Sequence, residues 1–190
     1  LLKESGLMQV DEKHGMYDKF WNRVMFPIMD SRGKVIGFGG RVMGDGKPKY
    51  LNSPETRVFD KSRNLYGLHL ARTSRKPNII LCEGYMDVIA MHQAGFNQAV
   101  ASLGTAFTQQ QSTILKRYTD EVLLTYDSDE AGIKAAMRAI PILKDAGIRA
   151  KVINMEPYKD PDEFIKALGS EVQGKMEVCY KDGELSYTIR

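Results

Sequence analysis

Cysteine is scarce in this 190-residue chain: there are two, Cys82 and Cys179, far apart and without a Cys or His companion at ligand spacing. That excludes a disulfide-stapled scaffold and makes a zinc site improbable, so no zinc is expected, and it suits reduced cysteines in a cytoplasmic setting. Histidine is equally thin. His14, His69 and His92 have no carboxylate or nucleophile at a telling spacing, and none is expected to be catalytic. No apolar run approaches the roughly 18 residues that a membrane-spanning helix needs, so no membrane partner is expected. The opening Leu-Leu-Lys-Glu-Ser-Gly lacks a starting Met and any signal-peptide pattern, and it reads as the start of a fragment.

Charge, by contrast, is plentiful and uneven. The net charge is +3, yet residues 1–77 carry 15 Lys+Arg against 8 Asp+Glu, or +7, while residues 78–190 carry 12 against 16, or −4. A basic half joined to an acidic half suits a polyanion held by one part and worked on by metals in the other, whereas uneven surface charge is the plainer explanation. Periodicity changes near Thr73-Ser74-Arg75-Lys76-Pro77, which divides the chain into a basic subdomain over 1–76, an α/β unit over 77–169 and a tail from 170.

In the first part, residues 1–18 show no clear periodicity. Arg23-Val24-Met25-Phe26-Pro27-Ile28-Met29 and Lys34-Val35-Ile36-Gly37-Phe38 flank a Gly-containing turn, which predicts a hairpin with Pro27 on an edge or at a bulge. A short helix fits Leu65 to Arg72. From residue 78 strands alternate with helices: 79–82 then 85–94, 98–101 then 108–117, 121–126 then 130–145, and 148–154 then 162–168. Thr108 with Gln111 forms a capping box, and Gly95, Gly147 and Gly169 sit where helix-ending glycines belong. Such alternation predicts right-handed crossovers and a parallel sheet with helices on both faces. The residues from Ser170 onward support a strand or a disordered tail and no more.

The chemistry concentrates where the strands end. Ile79-Ile80-Leu81-Cys82 runs into Glu83-Gly84, and Val122-Leu123-Leu124-Thr125-Tyr126 runs into Asp127-Ser128-Asp129. Acids at the carboxyl ends of neighbouring parallel strands lie on the rim where open α/β sheets bind ligands. Asp87 follows Glu83 by one helical turn, and Asp160-Pro161-Asp162 follows the fourth strand. So many carboxylates on one edge repel each other without a cation, and hard oxygen donors suit Mg²⁺. Glu83, Asp127 and Asp129 are the expected catalytic centre. Any one of these acids alone is more often a helix-start residue favoured by the macrodipole. Met86, Met91 and Tyr126 are expected in the core, and Ser102-Leu103-Gly104-Thr105 serves equally well as a phosphate-facing loop or a plain connection.

Glu83-Gly84-Tyr85-Met86-Asp87-Val88, Ala101-Ser102-Leu103-Gly104-Thr105-Ala106 and Asp127-Ser128-Asp129-Glu130-Ala131-Gly132 together resemble the TOPRIM domain of bacterial primases, topoisomerases and some nucleases. The upstream Arg23-Val24-Met25-Phe26-Pro27-Ile28, Gly37-Phe38-Gly39-Gly40-Arg41 and Pro48-Lys49-Tyr50-Leu51-Asn52-Ser53-Pro54, with Lys159-Asp160-Pro161-Asp162-Glu163 downstream, are similar to the DnaG-type primases in particular. The resemblance covers about residues 17–169. It implies that Glu83, Asp127, Asp129 and Asp160 bind divalent metal, Mg²⁺ or Mn²⁺, with Asp87 and Asp162 in support. It implies too that Arg41, Lys49, Tyr50, Asn52 and Lys61 line a basic surface for single-stranded DNA template and nascent RNA. The activity implied is synthesis of short RNA primers from ribonucleoside triphosphates. The family's zinc-binding domain precedes this stretch, and its contact with the replicative helicase uses a domain that follows it. The alternatives are another TOPRIM activity, strand cleavage by a topoisomerase or nuclease, and a fragment that only binds single-stranded DNA.

Overall fold

A computed structural model describes residues 4–13, 15–155, 157–169 and 187–188. Its centre is a parallel sheet with strand order β9-β8-β6-β7, built from β6 (Ile79–Cys82), β7 (Ala99–Ala101), β8 (Glu121–Thr125) and β9 (Arg149–Asn154). Beyond β9 a two-residue strand, β10 (Tyr187–Thr188), pairs in parallel with Ile153 and Asn154. The rest of the tail lies outside the described residues. The helices α2 (Tyr85–Gln93), α3 (Gln109–Leu115), α4 (Glu130–Asp145) and α5 (Pro161–Leu168) connect or follow these strands.

Both faces of the sheet are covered, as the near-continuous apolar strands require. On one face Ile79, Leu81, Val122 and Leu124 pack with Leu115 of α3 and Ala136, Ala139 and Leu143 of α4. On the other, Ile80, Cys82 and Leu123 meet Val88 and Met91 of α2 and Phe164 of α5. Thr108 and Gln111 form the expected reciprocal cap on α3, with bonds of 3.1 and 3.0 Å. Gln111 Nε2 also donates to the carbonyls of Lys61 and Asn64, which ties the basic part to this helix. Gly95, Gly147 and Gly169 adopt φ of 91°, 73° and 52° at the ends of their helices, a region closed to most side chains.

The basic part contains the expected hairpin, with β3 (Arg23–Met29) antiparallel to β4 (Val35–Val42) and β5 (Tyr50–Asn52) beyond it. Pro27 lies on edge strand β3, where its missing donor costs no ladder bond. The stretch before residue 18, expected to be aperiodic, instead forms a second hairpin, β1 (Met8–Asp11) with β2 (Gly15–Asp18). Every β2 residue is exposed, so its sequence carries no buried alternation to detect. The expected helix near residues 65–72 is one turn, α1 (Leu68–Ala71). Tyr66 forms an antiparallel bridge to Ala101, and Leu65, Leu68 and Ala71 join the core beneath the parallel sheet, so packing crosses from the basic part before residue 73. Among the described residues no helix is long and apolar enough to cross a membrane.

Candidate active site

β6 pairs with β7 on one side and β8 on the other, so the connections diverge at its carboxyl end and leave a crevice there. Cys82 lies opposite Thr125 in the register, which brings Glu83 and Asp127 to the same rim. A cavity of about 320 Å³ opens at this point, with Glu83, Asp87, Asp127 and Asp160 in its wall. Tyr50 and Asn52 of β5 close it with Lys49 just before them, and Lys159 does so from the turn before α5. The basic part therefore completes a site whose acids all come from the α/β part, on the segments that follow its strands.

These acids hold one another in an unfavourable state. Burial, followed by the charges of Asp127, Asp160 and Glu83, pushes the Asp87 carboxyl up to about 7 despite a hydrogen bond from Gly84 N–H. Burial and the charges of Glu83, Asp160 and Asp129 push Asp127 up to about 6, with Lys159 working in the opposite direction. No three His, Cys, Asp or Glu side chains among the described residues converge tightly enough to form a ready-made metal cage. Clustered, mutually repelling carboxylates with open space between them nonetheless fit a hard divalent cation that keeps water or substrate oxygens in its shell. The Asp127 carboxylate, in the wall of this cavity, has no hydrogen-bond partner among the described residues.

Two of the expected ligands stand apart. Asp129 caps α4, accepting from Gly132 N–H at 2.9 Å, and it does not line the cavity, although its charge reaches Asp127. Asp162 pairs with Lys166 one turn along α5 at 2.5 Å and is likewise absent from the cavity wall. Asp160 caps α5 through one oxygen, accepting from Glu163 N–H at 2.9 Å, and the other oxygen makes no hydrogen bond among the described residues.

Of the expected nucleic-acid residues, Lys49, Tyr50 and Asn52 line the cavity. Arg41 sits over the Tyr50 ring at 5.9 Å and borders an adjoining groove of about 770 Å³, floored by Val24, Phe26 and Met86. Lys61 lines neither: it lies on a 3₁₀ turn, where its charge acts on Lys19 and the two cations repel. Met91 is buried as expected, but Met86 lines the cavity instead of packing in the core. Ser102 and Gly104 line it too, and Asn52 Nδ2 donates to the Leu103 carbonyl at 3.0 Å, so this loop serves as the site's wall. Sequence reasoning missed Lys159 and Tyr85 as parts of the site. The signal for Lys159 was a cation directly before an acid pair. Tyr85 is buried against Phe26, Tyr50 and Tyr66, with ring centroids 4.9, 5.5 and 5.6 Å away, and joins the two halves of the site.

Comparison with known proteins agrees with this layout. Residues 80–165 match the family described as Toprim-like, and residues 1–72 match the DNA primase catalytic core, N-terminal domain. The chain is 53% identical to the DNA primase of Clostridium acetobutylicum over 171 residues, which are 90% of this chain and 28% of that protein. It is 45% identical to the DNA primase of Escherichia coli K12 over 183 residues, 93% of this chain and 31% of that one. The chain thus spans under a third of these relatives. Among solved structures, the Aquifex aeolicus primase zinc-binding and RNA polymerase domains superpose with a TM-score of 0.85 at 42% identity, over 92% of this chain and 44% of that one. A DnaG primase catalytic domain bound to ssDNA gives a TM-score of 0.84 at 43% identity, over 93% of this chain and 57% of that one.

Proposed function

The chain belongs to the bacterial DnaG-type primase family, and we propose that its site joins ribonucleotides into short RNA primers on a single-stranded DNA template. The observation that carries this reading is one cavity with four carboxylates on its sheet side and Lys49 and Lys159 beside them. Nucleotidyl transfer needs a triphosphate held in line with a 3′-hydroxyl while negative charge builds on phosphate oxygens. Glu83, Asp87, Asp127 and Asp160 are the proposed holders of Mg²⁺ or Mn²⁺, and these all-oxygen donors favour such hard cations over zinc. When bound, the cation neutralises charge at the reacting phosphate and lowers the cost of deprotonating the attacking hydroxyl. Lys49 and Lys159 draw in the triphosphate, and Asn52 steadies the loop carrying Ser102 and Gly104. No side chain stands out as a general base, so the 3′-hydroxyl proton passes to solvent water.

The groove beside the cavity suits the template. Arg41, Lys47 and Lys49 track phosphates without reading sequence, and Phe26 and Val24 in the groove, with Tyr50 in the adjoining cavity, offer surfaces for bases. On the same reading we propose a replicative helicase as partner and the bacterial cytoplasm as location. Strand cleavage is not favoured, because the N-terminal match is to a primase core.

The test is incorporation of labelled ribonucleotides by the intact protein on single-stranded DNA with Mn²⁺. Product that requires template, ribonucleotide and cation together is expected, with Glu83→Gln lowering it by about 10²-fold or more while DNA binding persists. Cation-independent product, or full activity in Glu83→Gln, would contradict the reading.

A further inference from the structure

A second cavity, of about 400 Å³, lies beside the first and shares Glu83, Ser102 and Gly104 with it. Its far wall is formed by Thr105, Phe107, Tyr126 and the α4 face that carries Arg138. Resting on the nucleotidyl-transfer reading above, we propose that this cavity seats the initiating nucleotide, the nucleoside 5′-triphosphate whose 3′-hydroxyl makes the first bond, with Arg138 holding its triphosphate.

Synthesis that begins without a primer needs two nucleotides at once, one on each side of the reacting phosphorus. The two cavities meet at Glu83, and the volume of the second lies within the range of small-molecule sites, roughly 300–1,000 Å³. Much of its lining is apolar, from Phe107, Tyr126, Ala135 and Ala139. Flat aromatic and aliphatic surfaces suit a nucleobase. Arg138 is exposed and has no ion pair among the described residues. Lys134, one turn earlier on α4, is already paired with Glu130. Apart from Glu83, at the edge shared with the first cavity, Arg138 is the one charged side chain in this lining, and its guanidinium is a fork for phosphate oxygens.

In the first step the 3′-oxygen of the seated nucleotide bonds to the α-phosphorus of the nucleotide in the first cavity. The bond from that phosphorus to its bridging β-oxygen breaks, pyrophosphate leaves with the electron pair, and the hydroxyl proton goes to water. Once a primer exists, the nucleotide in the second cavity carries a 5′-phosphodiester in place of a triphosphate. Arg138 therefore bears more heavily on initiation than on extension.

The experiment compares two reactions of the intact protein with Mn²⁺: synthesis from nucleoside triphosphates alone, and extension of a pre-annealed RNA primer. Arg138→Ala is expected to lower the ratio of initiation to extension by about tenfold or more, chiefly through a higher KM for the initiating nucleotide. Arg138→Lys is expected to recover part of that loss, and an initiating nucleoside without 5′-phosphates is expected to show no difference between variant and parent. An unchanged ratio, or an equal effect with the phosphate-free initiator, overturns the assignment of Arg138. Failure of the parent protein in both reactions overturns the nucleotidyl-transfer reading itself.

Discussion

Asp127→Asn is expected to lower ribonucleotide incorporation by about 10³-fold, the equivalent of about 4 kcal/mol of lost transition-state stabilisation. The same change is expected to raise the melting temperature of the metal-free protein at pH 8. Both effects follow from one feature, a half-buried carboxylate facing other carboxylates with no donor of its own among the described residues. Burial and its acidic neighbours raise the folded-state value of Asp127 to about 6 from an ordinary 3.8. Because the folded value is the higher one, the stabilising contribution of the protonated form is complete below 3.8 and is lost as pH rises through 6. Asn carries no charge to desolvate, so the variant's advantage in EDTA is large at pH 8 and shrinks toward pH 4. Thermal melts across that range, paired with the incorporation assay, check both halves. A variant that melts lower at pH 8 would mean that Asp127 is paired and structural.

Gly132→Ala is expected to lower the melting temperature by roughly 4–10 °C, for a cost of about 2–3 kcal/mol in a domain of this size. Helix propensity alone predicts the reverse, since Ala is favoured over Gly inside a helix by about 1 kcal/mol. The decisive contact is local. A Cβ at Gly132 would stand 2.1 Å from the Asp127 carbonyl oxygen and within 3 Å of the Asp127 carbonyl carbon and nitrogen. These are backbone atoms and cannot swing aside, so the first turn of α4 must shift, breaking the 2.9 Å cap from Gly132 to Asp129, or Asp127 must leave the rim. Either result also lowers activity. Differential scanning calorimetry and the incorporation assay read the two together, and a stabilised variant would show that the turn has slack.

The parallel sheet was legible because its strands are apolar on both faces and its helices begin and end with recognisable caps. Glu83 and Asp127 were legible as rim acids for the same reason: each follows a buried strand directly. Asp129 and Asp162 were not separable from them, since a carboxylate that lies off the cavity wall has the same composition as one that lines it. Only side-chain geometry divides them. The β1–β2 hairpin left no trace because it buries almost nothing. Tyr85 and Arg138 were missed because the roles argued for them depend on contacts across the fold: one ring joins two subdomains, and one cation borders a loop more than thirty residues away.

Mn²⁺ binding followed by electron paramagnetic resonance tests most directly whether Glu83, Asp87, Asp127 and Asp160 together hold a divalent cation. Glu83→Gln and Asp127→Asn are each expected to weaken binding by about tenfold or more, whereas Asp162→Asn, whose carboxylate pairs with Lys166 away from the cavity, changes it little. Mn²⁺ affinity that survives loss of Asp127, or that falls as far with Asp162→Asn as with Glu83→Gln, would contradict the account.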